Sequence, residues 1–142
     1  MRVLLLASAF NGLTQRLHRE LSIRGHIVSV ELAVSPQATE VAVALFGPDI
    51  ILCPFLKQRV PDSIWKHHTC LIVHPGTEGD RGPSSLDWAI HRGAAEWGVT
   101  LLQAAEEMDA GHIWGTATFP MREASKGSLY RREVTEQTVR LV

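Results

Sequence analysis

His74 ends a short apolar run, Leu71-Ile72-Val73-His74, and is followed by Pro75 and an irregular turn, Gly76-Thr77-Glu78-Gly79-Asp80-Arg81-Gly82-Pro83. Asp109 lies further on, in Glu106-Glu107-Met108-Asp109-Ala110-Gly111, after a second apolar run, Gly98-Val99-Thr100-Leu101-Leu102. Neither residue is diagnostic alone. A single His beside an apolar strand is more often structural than catalytic, and an Asp before Ala-Gly is an ordinary turn residue. At the ends of neighbouring strands in an open parallel sheet, loops converge on one edge where ligands bind. There the two read as an imidazole–carboxylate pair, able to move a proton or to stabilise a tetrahedral intermediate.

Other polar residues carry weaker signals. Arg81-Gly82-Pro83 precedes a helix whose N-cap reads as Ser84 or Ser85. That start could hold an anion, or Arg81 could merely pair with Asp80 or Glu78. Asn11-Gly12 lacks the further glycines of a dinucleotide-binding fingerprint. His67-His68 with Cys70 has no second ligand cluster, and adjacent histidines on a strand would point apart, so no metal is expected. His112 is next to the proposed pair and either lines it or faces solvent. Cys53 and Cys70 both fall in apolar runs and read as buried, reduced thiols, as in a cytoplasmic protein.

The elements that must position these groups follow from hydrophobic spacing. Arg2 to Ala7 is an unbroken apolar run, the pattern of a strand covered on both faces. The run after Met1-Arg2 is too short for a secretion signal. Leu13, Leu17 and Leu21 mark one face of a helix that Gly25 ends. His26 to Leu32 reads as a second strand. Ser35-Pro36 caps a second helix, stopped by Gly47-Pro48. Asp49 to Cys53 is a third strand, Pro54 to Val60 a loop, and Pro61 to Trp65 a short helix. Strands at Cys70–Val73, Trp97–Gln103 and Ile113–Phe119 bracket a helix from about Ser84 to Arg92. Helical spacing from about Ser128 to Val142 ends without a capping signal, so the chain reads as the front part of something longer. Strand–helix alternation with short connections gives an α/β three-layer sandwich with a Rossmann-like, mostly parallel sheet.

Composition bounds the rest. The 142 residues suffice for one domain with a real core. With 45% hydrophobic and 20% charged residues the chain is globular rather than disordered. Fourteen basic and 15 acidic residues leave a net charge of -1, which provides no footprint for nucleic acid or an anionic membrane surface.

His74-Pro75, Arg81-Gly82, Trp88-Ala89-Ile90, Gly98-Val99-Thr100 and Asp109-Ala110-Gly111-His112-Ile113 occur in the order of the folate-dependent formyltransferase family. The set spans about 40 residues and is specific as a set, though each piece is short. HPGTEGDRGPSSLDWAI and WGVTLLQAAEEMDAG are similar to the hydrogenase-maturation branch of that family, a likeness that extends to the tail around Ser128–Thr135. The resemblance implies that residues 1–142 form a formyltransferase-like N-terminal domain, cut short at its C-terminal end, that binds 10-formyltetrahydrofolate. It implies His74 and Asp109 as catalytic residues. Ile72, Arg81, Gly82, Thr100, Glu107, Met108, Gly111 and His112 would bind the folate, with main-chain groups of the loop around Asp109 on the pterin. In this branch the formyl group would pass to coenzyme A and become carbon monoxide in a second domain absent from these residues. Alternatives are a methionyl-tRNA or small-amine formyltransferase and a non-catalytic folate-binding module. The chain departs from the family at two places. Ile72 stands where the family has an Asn donor, and the turn after His74 is one residue shorter and acidic in Glu78 and Asp80.

Overall fold

The computed structural model describes residues 1–142. The elements are β1 (Arg2–Ala7), α1 (Gly12–Ile23), β2 (Ile27–Leu32), α2 (Pro36–Phe46), β3 (Ile50–Cys53), α3 (Asp62–Trp65), β4 (Cys70–His74), α4 (Ser85–His91), β5 (Glu96–Gln103), β6 (Ile113–Pro120), α5 (Lys126–Leu129) and α6 (Thr135–Leu141), with a π-helical stretch, Tyr130–Val134, joining the last two. The strands form one sheet in the order β2-β1-β3-β4-β5-β6. No helix is long and apolar enough to cross a membrane.

Both faces of the sheet are covered, and the apolar run of β1 shows why. Val3 and Leu5 pack with Leu13, Leu17 and Leu21 of α1, Leu86 and Ala89 of α4, and Leu129 and Val134 of the C-terminal helix. Leu4 and Leu6 pack on the opposite face with Val43 of α2 and Ile64 of α3. A strand between two helical layers has no polar side, so alternation disappears from its sequence. Local chemistry sets the helix starts. Asn11 caps α1 by accepting from Thr14 N at 3.0 Å, and Ser35 caps α2 by accepting from Ala38 N at 3.1 Å, with Pro36 in the first turn.

Three expectations need correction. The strands β2, β1, β3 and β4 are mutually parallel, but β5 pairs antiparallel to β4 and β6 antiparallel to β5. Five strands thus share one direction and β5 runs against them, so the loop after β5 leaves from the opposite end of the sheet to His74. Convergence of two parallel-strand loops does not explain the site. Second, Ser84 occupies the N-cap of α4 as expected, but with a left-handed φ of 65° and no side-chain cap bond. Third, His67 and His68 lie not on a strand but in the turn that closes α3, their amides bonded to Ile64 O. The C-terminal helix also begins earlier than its spacing predicts. Its widened turn is held by the Thr135 hydroxyl, which donates to Tyr130 O five residues back at 2.9 Å.

Leu5 is fully buried between the helical layers. Leu5→Ala is expected to lower unfolding free energy by about 2–5 kcal/mol, read from urea denaturation with an unchanged m-value. Cys53 and Cys70 are buried and unpaired with each other by any disulfide. Burial pushes both thiols up, Cys70 to about 12, so the reactive thiolate is scarce. Neither is expected to react with iodoacetamide in the native protein, and both should react once it is unfolded, as counted by mass spectrometry.

Candidate functional site

The antiparallel register of β4 and β5 places Ile72 opposite Leu102 and His74 opposite Thr100. Side chains alternate across a strand, so these four share the face that carries Cys70 and α3. The chain leaving Gln103 turns back over that face. Ala104 N donates to Cys70 O at 2.8 Å and Gln103 N to His112 O at 2.7 Å, which pins both ends of the loop to the sheet. Gly111 is obligatory in this closure, because a Cβ there would fall on the Gln103 carbonyl. The returning loop brings Asp109 to His74.

His74 is almost fully buried, with 4% of its side chain exposed, and Asp109 has 9%. Asp109 Oδ2 lies 3.4 Å from His74 Nδ1 and accepts from Gly82 N at 2.9 Å. Asp109 has a left-handed φ of 54°. Such a conformation is uphill for any residue with a Cβ, though Asp tolerates it better than most. Its carboxylate contacts to a buried ring and to a turn amide hold it there. On the other side of the ring, Asp80 Oδ2 is 2.9 Å from Nε2 and Ser85 Oγ 3.4 Å from it. Gly76 makes this approach possible, since a Cβ at Gly76 would collide with both the His74 ring and the Asp80 carboxylate. The turn carrying Asp80 is fixed by Thr100, whose hydroxyl donates to Gly76 O at 2.9 Å.

His74 and Asp109 stand on the wall of a cleft of about 880 Å³, within the range of sites that bury a small organic ligand. One wall is apolar, with Leu13, Phe55, Leu56, Ile72 and Leu102. Lys57, Arg59, Lys126 and Arg131 also line it, against the carboxylates of Glu107 and Asp109. Lys126 is engaged by Asp87 and Arg59 by the Glu106 carbonyl. A smaller cavity of about 130 Å³ lies on the Asp80 side, lined by Thr77, Asp80, Thr100, Asp109 and Gly111.

The residues expected from sequence divide between these spaces. Ile72, Gly82, Glu107 and Met108 line the large cleft with His74 and Asp109. Arg81, Thr100 and Gly111 line the small cavity instead. Arg81 pairs with Glu107 at 3.7 Å rather than with Asp80 or Glu78. His112 is exposed at the start of β6 and borders neither cavity. Sequence reasoning missed the contacts of Asp80 and Ser85 with His74, and the cleft residues Asn11, Arg59, Tyr130 and Arg131. Burial pushes the Tyr130 phenol up to about 12. An Asp six residues beyond the His in a glycine-rich turn was the one available signal. The others come from distant segments that only folding brings together.

Comparison with known proteins identifies the family. Residues 30–141 match the formyl transferase family. The chain is 56% identical over all 142 residues to the hydrogenase maturation factor HoxX of Bradyrhizobium diazoefficiens, and spans 25% of that relative. It is 32% identical over 91 residues, 61% of this chain and 29% of the relative, to methionyl-tRNA formyltransferase of Halalkalibacterium halodurans. Among solved structures it matches HypX from Aquifex aeolicus in complex with tetrahydrofolic acid, with a TM-score of 0.98 and 55% identity, over 99% of this chain and 25% of that one. Methionyl-tRNA formyltransferase from Clostridium thermocellum shares the fold, with a TM-score of 0.78 at 17% identity, over 99% of this chain and 60% of that one. The chain thus spans about a quarter of its HoxX and HypX relatives, and it belongs to the formyl transferase family.

Proposed function

We propose that this domain takes the formyl group from 10-formyltetrahydrofolate bound in the large cleft, with His74 and Asp109 assisting attack on the formyl carbon. The observation that carries the reading is the buried imidazole–carboxylate pair on the wall of a cleft large enough for a folate. The relative HypX was solved with tetrahydrofolic acid, which supports the ligand class. An apolar wall suits a pterin ring and the basic rim suits the glutamate carboxylates of a folate tail.

The chemistry balances without an external acid. A nucleophile X–H attacks the formyl carbon, and the carbonyl pair moves to oxygen as a tetrahedral intermediate forms. Collapse restores the carbonyl, breaks the bond to N10 and delivers the nucleophile's proton to N10. Donors aimed at the developing oxyanion lower the barrier by about 3–4 kcal/mol each in comparable sites. Ile72 lines the cleft but has no hydrogen to donate to that oxygen, and the imidazole of His74 is the polar side chain of β4 left to take up the nucleophile's proton. The resemblance to the hydrogenase-maturation branch implies the thiol of coenzyme A as the acceptor. The formyl thioester would then be converted to carbon monoxide by a further domain of the cytoplasmic protein. A methionyl-tRNA or small-amine acceptor would instead call on the Asn donor that Ile72 replaces.

Incubation with 10-formyltetrahydrofolate, with and without coenzyme A, tests this through release of tetrahydrofolate. His74→Ala and Asp109→Ala are each expected to lower turnover by about 10²-fold or more, the range of a lost general acid–base group. Turnover that survives both substitutions rejects the pair. Tight folate binding by the wild-type protein with no turnover establishes a non-catalytic folate-binding module, the reading that Ile72 favours.

A further inference from the structure

The two ring nitrogens of His74 meet different surroundings. Three groups face the ring: Asp80 and Ser85 at Nε2, and Asp109 at Nδ1. The Ser85 hydroxyl donates to Gly82 O at 3.2 Å, so it turns lone pairs toward the ring. An ionised carboxylate is an acceptor only. Nε2 therefore sees two acceptors, and at 2.9 Å the contact with Asp80 has the length of a good hydrogen bond. Nδ1 also faces an acceptor, but a single and more distant one. The nearest Asp109 oxygen is 3.4 Å away and already accepts from Gly82 N.

We infer that Asp80 is a positioning residue for the proposed reaction: it accepts the Nε2 hydrogen of His74 and so leaves Nδ1, the nitrogen beside Asp109, as the free base. Asp80 lines the small cavity and not the large cleft. It acts through the ring without touching what the cleft holds. Gly76 and the shortened turn give the carboxylate its path to Nε2. In the formyl transfer, Nδ1 takes the proton of the attacking nucleophile and Asp109 stabilises the imidazolium that forms. The same proton then passes to N10 as its bond to the formyl carbon breaks. A hydrogen bond to one ring nitrogen that sets the basicity of the other is a general way of orienting imidazole. Where it is lost in a serine protease, the wrong tautomer lowers kcat by about 10⁴-fold.

The kinetic part of this inference rests on the formyl-transfer reading, whereas the tautomer does not. The test is ¹⁵N–¹H correlation spectroscopy of the protein labelled with ¹⁵N-histidine, followed through a pH titration. The His74 signals are recognised by their loss in His74→Gln. In its neutral form the wild-type ring is expected as the Nε2–H tautomer. Asp80→Asn presents an amide that can donate to Nε2, and the ring should switch to Nδ1–H. Gly76→Ala reaches the same end by displacing the turn, and should move the ring in the same direction. In the release assay, Asp80→Asn should lower kcat by about 10²-fold or more with KM for the folate changed less than about twofold. A wild-type ring protonated at Nδ1 overturns the inference, as does an Asp80→Asn ring that stays protonated at Nε2. A wild-type protein without turnover would end the formyl-transfer reading and leave the spectrum to decide the role of Asp80.

Discussion

The site depends on one strand running the wrong way. Because β5 is antiparallel to β4, its C-terminal end lies at the far end of the sheet from His74. A loop that continued outward would leave Asp109 remote from the imidazole. Instead the chain doubles back across the face that carries Ile72 and His74, tied down at Ala104 and at Gln103. The loop is backbone packed on backbone at Gly111, with no room for a side chain. A cleft wall and one half of the His–Asp pair are therefore made by a returning loop rather than by two strand ends meeting at an edge. That arrangement also accounts for the left-handed conformation of Asp109, because the turn must reverse sharply at the point where its carboxylate engages the ring.

The second turn, between β4 and α4, is built to the same tolerance. Gly76 sits against the ring, Thr100 holds its carbonyl, and the shortened acidic stretch brings Asp80 to the outer nitrogen. The Gly82 amide then bonds the Asp109 carboxylate, so the two turns are stitched together at the imidazole. Ser84, the other non-glycine residue with a left-handed φ, lies in this same segment. Backbone strain concentrated where functional groups meet indicates that surrounding contacts over-determine the geometry. The contacts are a carboxylate on each side of a buried ring and a hydroxyl that closes the turn.

The cleft has an apolar wall and a basic rim drawn from segments far apart in the chain. They include the start of α1, the loop after β3, the end of β4, the turn into α4, the end of β5 with the loop after it, and the C-terminal helix from Lys126 to Arg131. The π-helical turn matters because it presents Tyr130 and Arg131 toward the cleft while Leu129 and Val134 stay in the core. Asn11, which caps α1, lines the same cleft as Tyr130. The ends of two scaffold helices thus contribute directly to the cleft wall.

What the sequence determined by itself was the scaffold and the identity of the central His–Asp pair. The unbroken apolar runs, the serine and proline at the start of α2 and the leucine spacing of α1 are local patterns, written within a few residues of where they act. The motifs around His74 and Asp109 pointed to the family for the same reason. Strand direction was decided only by tertiary structure, since an apolar run of six or eight residues packs equally well running either way. So were the partners of His74. Asp80 is six residues away and was placed in the turn, but whether a turn carboxylate meets a ring or the solvent depends on backbone dihedrals and on the space left by Gly76. His112 shows the converse: adjacent in sequence to the site loop, it is turned outward once β6 takes up its register against β5. Local sequence fixes which residues can do chemistry, and the packing of distant segments fixes which of them meet.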